Sequence, residues 1–207
     1  MHPNPAFRQM PGKANQSFAQ KRGFGILSVN RSEGPLLSHV PFLLSDDGKV
    51  AELHLVRSNP IVRALSEPVS AVVAVSGPDS YVSPDWYGID DQVPTWNYVA
   101  VHLRGQLIKE PPDKLRDLLN RLSARFEADL LPKTPWLSGK MSDGVMDKIM
   151  RQIVPFRLEI TSIDGTWKLG QNKTDEARSN AASQMEASGI GHETRHLSTL
   201  MMAPPKA

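Results

Sequence analysis

The sequence predicts an α+β domain built on an antiparallel β-barrel with peripheral helices, and three observations predict it. Six or seven segments carry the alternating or continuously apolar pattern of strands, parted by turns bearing glycine, proline or aspartate. The helical patterns are few and gather mostly after the sixth strand. Strand–helix–strand alternation and internal repeats are both lacking in the sequence, which argues against a doubly wound nucleotide-binding sheet.

At 207 residues the length fits roughly one domain. The division expected is a mobile arm over residues 1–16, the barrel domain over 17–189 and a C-terminal tail over 190–207, short and prone to fray. Hydrophobic residues make up 40% of the chain, enough for one sizeable core. Lys and Arg number 24 against 22 Asp and Glu, a net charge of +2, so no global field draws the chain to nucleic acid. The absence of cysteine excludes disulfides and thiolate chemistry and fits a reducing compartment. The sequence has neither an apolar run long enough for a membrane span nor the apolar core of a secretory signal, so a cytoplasmic location without membrane attachment is expected.

In chain order, residues 18–22 finish a short helix, and Gly23–Val29 and Pro35–Ser45 read as the first strands. Asp46-Asp47-Gly48 supplies a turn before the strand Lys49–Val56. Asn59 is a good N-cap and Pro60 suits the first helical position, so a helix is expected to about Ser66. Val69–Ser76 is a buried strand. Tyr81–Tyr87 reads as a short strand broken by Pro84, and Thr95–Lys109 as a long one. On that long strand Asn97, Val99, Val101, Leu103 and Gly105 share one face, and Trp96, Tyr98, Ala100, His102 and Arg104 the other. Leu115, Leu118, Leu119, Leu122 and Phe126 stripe a helix over 111–131. A second helix is expected over 142–153, with Val145, Met146, Ile149, Met150 and Ile153 facing inward. Residues 156–169 read as a pair of strands turning at Asp164-Gly165, and Thr174-Asp175-Glu176 opens a further helix.

The motifs that carry chemistry are modest. The stretch from Ser76 to Lys109 holds all three tyrosines with Trp86 and Trp96, and rings interleaved with hydroxyls and amides suit a flat, polar-edged ligand as well as they suit core filler. Arg57-Ser58-Asn59 places a cation, a hydroxyl and an amide at a helix start, a natural anion site, although taken alone a plain N-cap beside a surface arginine is the simpler reading. Lys168, Gln171 and Asn172 form a polar cluster after the last strand. His39, His54 and His102 fall in strands, where histidine is more often structural than a ligand or base. His192-Glu193-Thr194-Arg195-His196 matches H-E-x-x-H in form, but it follows two glycines and no later acidic or histidine ligand completes it, so no metal site is expected. Neither a hydrolase triad nor a glycine-rich phosphate loop is present, and no catalytic residue is named.

Four segments together resemble the PaiB-like family of FMN-binding proteins, often labelled negative transcriptional regulators. They are Ser38-His39-Val40-Pro41-Phe42-Leu43-Leu44, Leu53-His54-Leu55-Val56-Arg57-Ser58-Asn59-Pro60, the pair Ser80–Tyr87 and Val93–Tyr98, and Gly165–Lys173. The resemblance runs from about Phe24 to Asn172. It departs at Gly170, where the family usually has serine, and at Pro155, where glycine is common. It implies a split β-barrel of the FMN-binding type that forms a homodimer, with FMN between subunits. On that basis Arg57, Ser58 and Asn59 are assigned to the phosphate, and Ser38, His39 and His54 to the adjoining wall. Trp86, Thr95, Trp96 and Asn97 would border the ring, and Lys168, Gln171 and Asn172 would close the site.

The leading function is then an FMN-dependent redox or regulatory role. The alternatives are an oxidoreductase acting on a small molecule with NAD(P)H, an indirectly acting repressor, or the same barrel holding haem. Direct DNA reading is disfavoured, because the basic residues of the 111–131 helix are balanced by acidic ones and the sequence carries no helix-turn-helix pattern.

Overall fold

Among the described residues seven strands form one antiparallel sheet in the order β1-β2-β3-β6-β5-β4-β7, and a further β1–β4 pairing closes the first six into a barrel. The computed structural model describes Met1–Pro205; Lys206 and Ala207, the end of the expected tail, lie outside the described residues. The strands are β1 (Phe24–Val29), β2 (Leu36–Leu44), β3 (Val50–Val56), β4 (Val69–Val82), β5 (Thr95–Lys109), β6 (Ile153–Lys168) and the short β7 (Gly191–His192). The helices are α1 (Gly12–Arg22), α2 (Pro60–Ala64), α3 (Leu115–Ala128), α4 (Val145–Met150), α5 (Asp175–Ser188) and α6 (Thr194–Met202). Among the described residues no helix is long and apolar enough to cross a membrane. The expected α+β barrel is therefore the fold observed.

By contacts the chain forms two compact units. The first comprises Met1–Phe18, Val75–His102 and Ile163–Ala207, and the second Ala19–Ala74 and Leu103–Ser162.

In the second unit, period-two alternation decides which side chains fill the barrel. Leu27 and Val29, Val40 and Phe42, Leu53 and Leu55, Val73, Leu103 and Leu107, and Phe156 and Leu158 are all buried, while their neighbours along each strand are more exposed, save at the start of β6 where Val154 and Pro155 are buried too. Registers such as Ile26↔Ala74 on the closing pair and Leu53↔Phe156 on β3–β6 fix this set. Gly105 is required where β5 meets β6, because a Cβ there would lie 1.9 Å from the Glu159 carbonyl oxygen. α3 lays Leu115, Leu118 and Leu122 inward, with Leu119 and Phe126 half-buried, and Arg121 ties it to β3 through a bidentate pair with Glu52 at 2.7 and 2.8 Å.

In the first unit, α5 and α6 pack with Val82, Tyr87, Val99, Trp167 and Leu169 into a second core. Alanines 177, 181 and 182 let the two helices approach closely, and Met185, Leu197 and Met201 fill the seam at zero exposure. Arg178, only 7% exposed, locks it by donating through Nε to the Met201 carbonyl at 2.6 Å while its Nη2 meets Asp175 at 2.8 Å. Trp167 donates through Nε1 to Asn15 Oδ1 at 2.8 Å, both residues being buried.

Several expectations are corrected. Residues 156–168 belong to one continuous strand rather than a pair, and Leu169 follows its end. Gly165 does not turn the chain; a Cβ there would meet Asn15 Oδ1 at 1.9 Å, so it is glycine to admit that side chain. Tyr81 and Val82 end β4, and Pro84–Tyr87 is a 3-10 turn that starts at the proline. The helix expected over 142–153 is only Val145–Met150, started after Gly144 in the left-handed region, and none of its residues is buried: Val145 and Ile149 are exposed and Ile153 opens β6. The tail expected to fray forms β7 and α6, with Leu197, Ser198 and Met201 buried. Within residues 1–16, read as an arm, a 3-10 turn buries Phe7 and α1 begins at Gly12.

Candidate functional site

The candidate residues fall into two groups, one in each unit. Ser38, His39, His54, Arg57, Ser58 and Asn59 belong to the second unit, and Trp86, Thr95, Trp96, Asn97, Lys168, Gln171 and Asn172 to the first.

In the second unit β3 ends at Val56 and the chain turns into α2. Asn59 makes that turn: its Oδ1 accepts from the Ile61 N–H at 2.9 Å, and its Nδ2 donates to Ser38 Oγ at 3.1 Å. Asn59 and Ser38 are thus spent on each other and on the cap. Arg57 is fixed at both ends of its residue, with its N–H on the Gln152 carbonyl at 2.7 Å and its Nε on the Arg151 carbonyl at 3.0 Å. It lines an open cleft of about 590 Å³ with Val56, Ser58, Arg63, Arg151 and Gln152. Among the described residues none of these three arginines is ion-paired, whereas Arg116, Arg121, Arg125, Arg157, Arg178 and Arg195 all meet carboxylates. An adjoining cavity of about 390 Å³ shares Arg57 and Arg151 and adds Leu115, Met150, Ile153, Val154 and Pro155.

The histidines of this group differ. His39 is exposed on β2, its ring 6.4 Å from that of Phe24. His54 lies on β3 opposite Pro155, with Nδ1 buried and unpartnered. Burial pushes its imidazolium pKa below the usual value.

In the first unit, Tyr81 gathers Trp86 and Trp96 edge-on, with ring centroids at 6.3 and 6.5 Å. Trp96 is 48% exposed, so the cluster presents an aromatic face to solvent. Thr95 Oγ1 accepts from Lys168 Nζ, whose ammonium lies 5.8 Å from the Phe7 ring centroid. No carboxylate offsets Lys168 among the described residues, and burial lowers its pKa. Asn97 is directed differently. At 1% exposure its Nδ2 contacts Met201 Sδ at 3.5 Å, and it hydrogen-bonds Tyr87, whose own pKa burial raises. Gln171 closes the turn after β6, accepting from the Leu169 N–H at 2.8 Å and donating to the Trp167 carbonyl at 2.6 Å, while Asn172 is exposed. Arg63 and Arg151 share this cleft with Arg57, yet nothing in a five-residue helix or at a strand entry marks their side chains for it in the sequence.

The H-E-x-x-H match is not one helical turn. His192 sits in β7 against Asp79 at 3.3 Å, and Glu193 in the left-handed region separates it from His196 in α6. Among the described residues no group of three or more His, Cys, Asp or Glu side chains could hold a metal.

A family model described as "Putative FMN-binding domain" matches residues 1–162. The chain is 28% identical over 172 residues to the "Protease synthase and sporulation protein PAI 2" of Bacillus subtilis (strain 168), with 82% of each chain covered. Two solved structures are similar in fold. One is the "FAD and Heme binding protein from Mycobacterium smegmatis", with TM-score 0.58, 17% identity and coverage of 89% of this chain and 82% of that one. The other is the "Flavocytochrome Anf3 from Azotobacter vinelandii", with TM-score 0.56, 14% identity and coverage of 82% and 73%. Both likenesses are of fold.

Proposed function

Because the chain belongs to this family of FMN-binding domains, we propose that it works as a flavin-dependent redox or regulatory protein holding FMN by its phosphate at Arg57 and Ser58. The observation that carries the assignment is Arg57 itself. Its guanidinium is oriented through Nε by the Arg151 carbonyl, it has no carboxylate partner among the described residues, and it lines a cleft together with Ser58. A phosphate carrying roughly −1.5 to −2 charge suits such an unneutralised cationic setting. In the first unit the exposed ring of Trp96, the half-buried ring of Trp86 and the Lys168–Thr95 pair are assigned to contacts with the planar ring system. Asn97, directed into the helical core, is assigned to structure instead.

When bound, the flavin supplies one- or two-electron transfer, and the protein's part is to bind, orient and shield it. Lys168, an ammonium held in a half-buried position, would favour electron density building on any ring atom it meets. The active species is proposed to be a homodimer, for which Phe24 and Leu37 in the second unit and Val93 and Trp96 in the first offer exposed apolar surface. A regulatory role is proposed to be indirect. The cations of α3 are engaged with carboxylates, Arg116 with Asp147, Arg121 with Glu52 and Asp117, and Arg125 with Asp129, which leaves little free charge for DNA phosphates.

The test is the visible spectrum of the purified protein before and after adding FMN, with gel filtration to ask whether colour travels with the protein. A flavin spectrum is expected, and Arg57→Ala should weaken FMN binding at least about tenfold, roughly 1.4 kcal/mol. Colourless protein that takes up no added FMN would overturn the reading, and a haem spectrum would replace it. Bleaching of the bound flavin by NAD(P)H would distinguish a reductase from a flavin-dependent regulator.

A further inference from the structure

The cleft around Arg57 holds more positive charge than one phosphate neutralises. Arg57, Arg63 and Arg151 line it together, and Lys109 joins Arg57 and Arg151 around the adjoining cavity. Among the described residues none of these four cations has a carboxylate partner. The two carboxylates that line the adjoining cavity are already engaged, Glu110 with Arg157 and Asp147 with Arg116. Guanidiniums stay charged at every physiological pH, so their convergence without counter-ions is a standing repulsion that an anion relieves.

The adjoining cavity differs in character. Pro112, Leu115, Met150, Ile153, Val154 and Pro155 give it an apolar lining, and its volume of about 390 Å³ falls within the range of small-ligand pockets. Both cavities meet at Arg57 and Arg151. A ligand matched to this pair has a largely apolar group, such as a base, at one end and several negative charges at the other.

We propose that the arginine cleft and the apolar chamber beside it form a site for a nucleotide bearing more than one phosphate group, with its base in the chamber and its phosphates among Arg57, Ser58, Arg63 and Arg151. The proposal rests on the phosphate reading of Arg57 and Ser58, and it extends that reading to a second phosphate and to a base. Arg63 and Arg151 supply the charge beyond what a single phosphate of roughly −1.5 to −2 requires. The terminal diphosphate of ADP carries a charge near that of three guanidiniums, which makes ADP the simplest probe of the site. A nicotinamide dinucleotide with an extra phosphate is the larger ligand of the same chemistry.

The experiment is calorimetric titration of the purified full-length protein at low salt with adenosine, AMP, ADP, inorganic diphosphate and FMN. Affinity is expected to rise at least tenfold from AMP to ADP, and ADP is expected to bind more tightly than inorganic diphosphate. Arg63→Gln should erase most of the AMP-to-ADP gain. Met150→Trp, which fills the chamber, should bring ADP down to the affinity of inorganic diphosphate. Equal binding of AMP and ADP, or ADP no better than inorganic diphosphate in the wild type, would overturn the proposal. The two readings fail separately. FMN binding without an ADP preference leaves the flavin assignment standing and removes the second phosphate, whereas an ADP preference without FMN binding does the reverse. If a variant does not fold, the wild-type series alone decides.

Discussion

His54 shows how one side chain can make the fold sensitive to acid. Its Nδ1 is buried without a partner, and burial depresses its pKa from the ordinary value of 6.5. The unfolded chain therefore takes up the proton more readily than the folded one. Stability must fall as pH drops from about 6.5 through the folded value, level off below it, and be unaffected above 6.5. Thermal melts between about pH 7.5 and 5 should show this slope, and His54→Gln should flatten it. Identical slopes in the two proteins would mean that other groups govern the acid response. Burial depresses Lys168 in the same sense. Arg57, Ser58 and Trp96 are exposed and available to a ligand, Trp86 is half-buried against the second core, and other candidates are engaged in structure. Ser38 and Asn59 hold each other, Gln171 closes a turn, and Asn97 points at Met201.

Among the elements, α6 carries most weight in the first unit. Leu197 and Met201 are wholly buried against α5, and Arg178 reaches across to the Met201 carbonyl. Leu197→Ala should destabilise the protein by about 2–5 kcal/mol, read as a lowered denaturation midpoint at unchanged slope. A loss below about 1 kcal/mol would show that the seam relaxes around the gap. The sequence did not announce this helix, because Gly189 and Gly191 precede it and the tail after it carries prolines. Only the tertiary partner, a run of alanines on α5, makes the short segment worth ordering. The strands were plain by contrast, since Val99, Val101 and Leu103 declare their inward face by alternation alone. Gly165 misled for a definable reason. Asp-Gly signals a turn, yet here the glycine clears space for Asn15, 150 residues earlier in the chain, and such a contact leaves no local trace. Arg57 was legible because it sits beside a cap motif. Arg63 and Arg151 were not, because a shared cleft is a property of the folded chain.

For the whole molecule, barrel closure depends on a few places where backbones nearly touch. Gly105 is the tightest, with the Glu159 carbonyl oxygen 1.9 Å from where a Cβ would stand. Gly105→Ala cannot be absorbed by moving a side chain, so the ladder between β5 and β6 must part. A loss of more than about 4 kcal/mol, or insoluble protein, is expected, and circular dichroism with denaturant melts would measure it. Near-native stability would require the strands to separate without cost. The two cores also differ in how much chain each must wait for. The second unit draws on nothing beyond Ser162, whereas the first cannot fill its seam until Leu197 and Met201 have been made. During synthesis the arginine cleft can therefore take shape while the surroundings of Asn97, Tyr87 and Trp167 still lack their covering helix. An anion captured early by that cleft would meet a protein only half assembled.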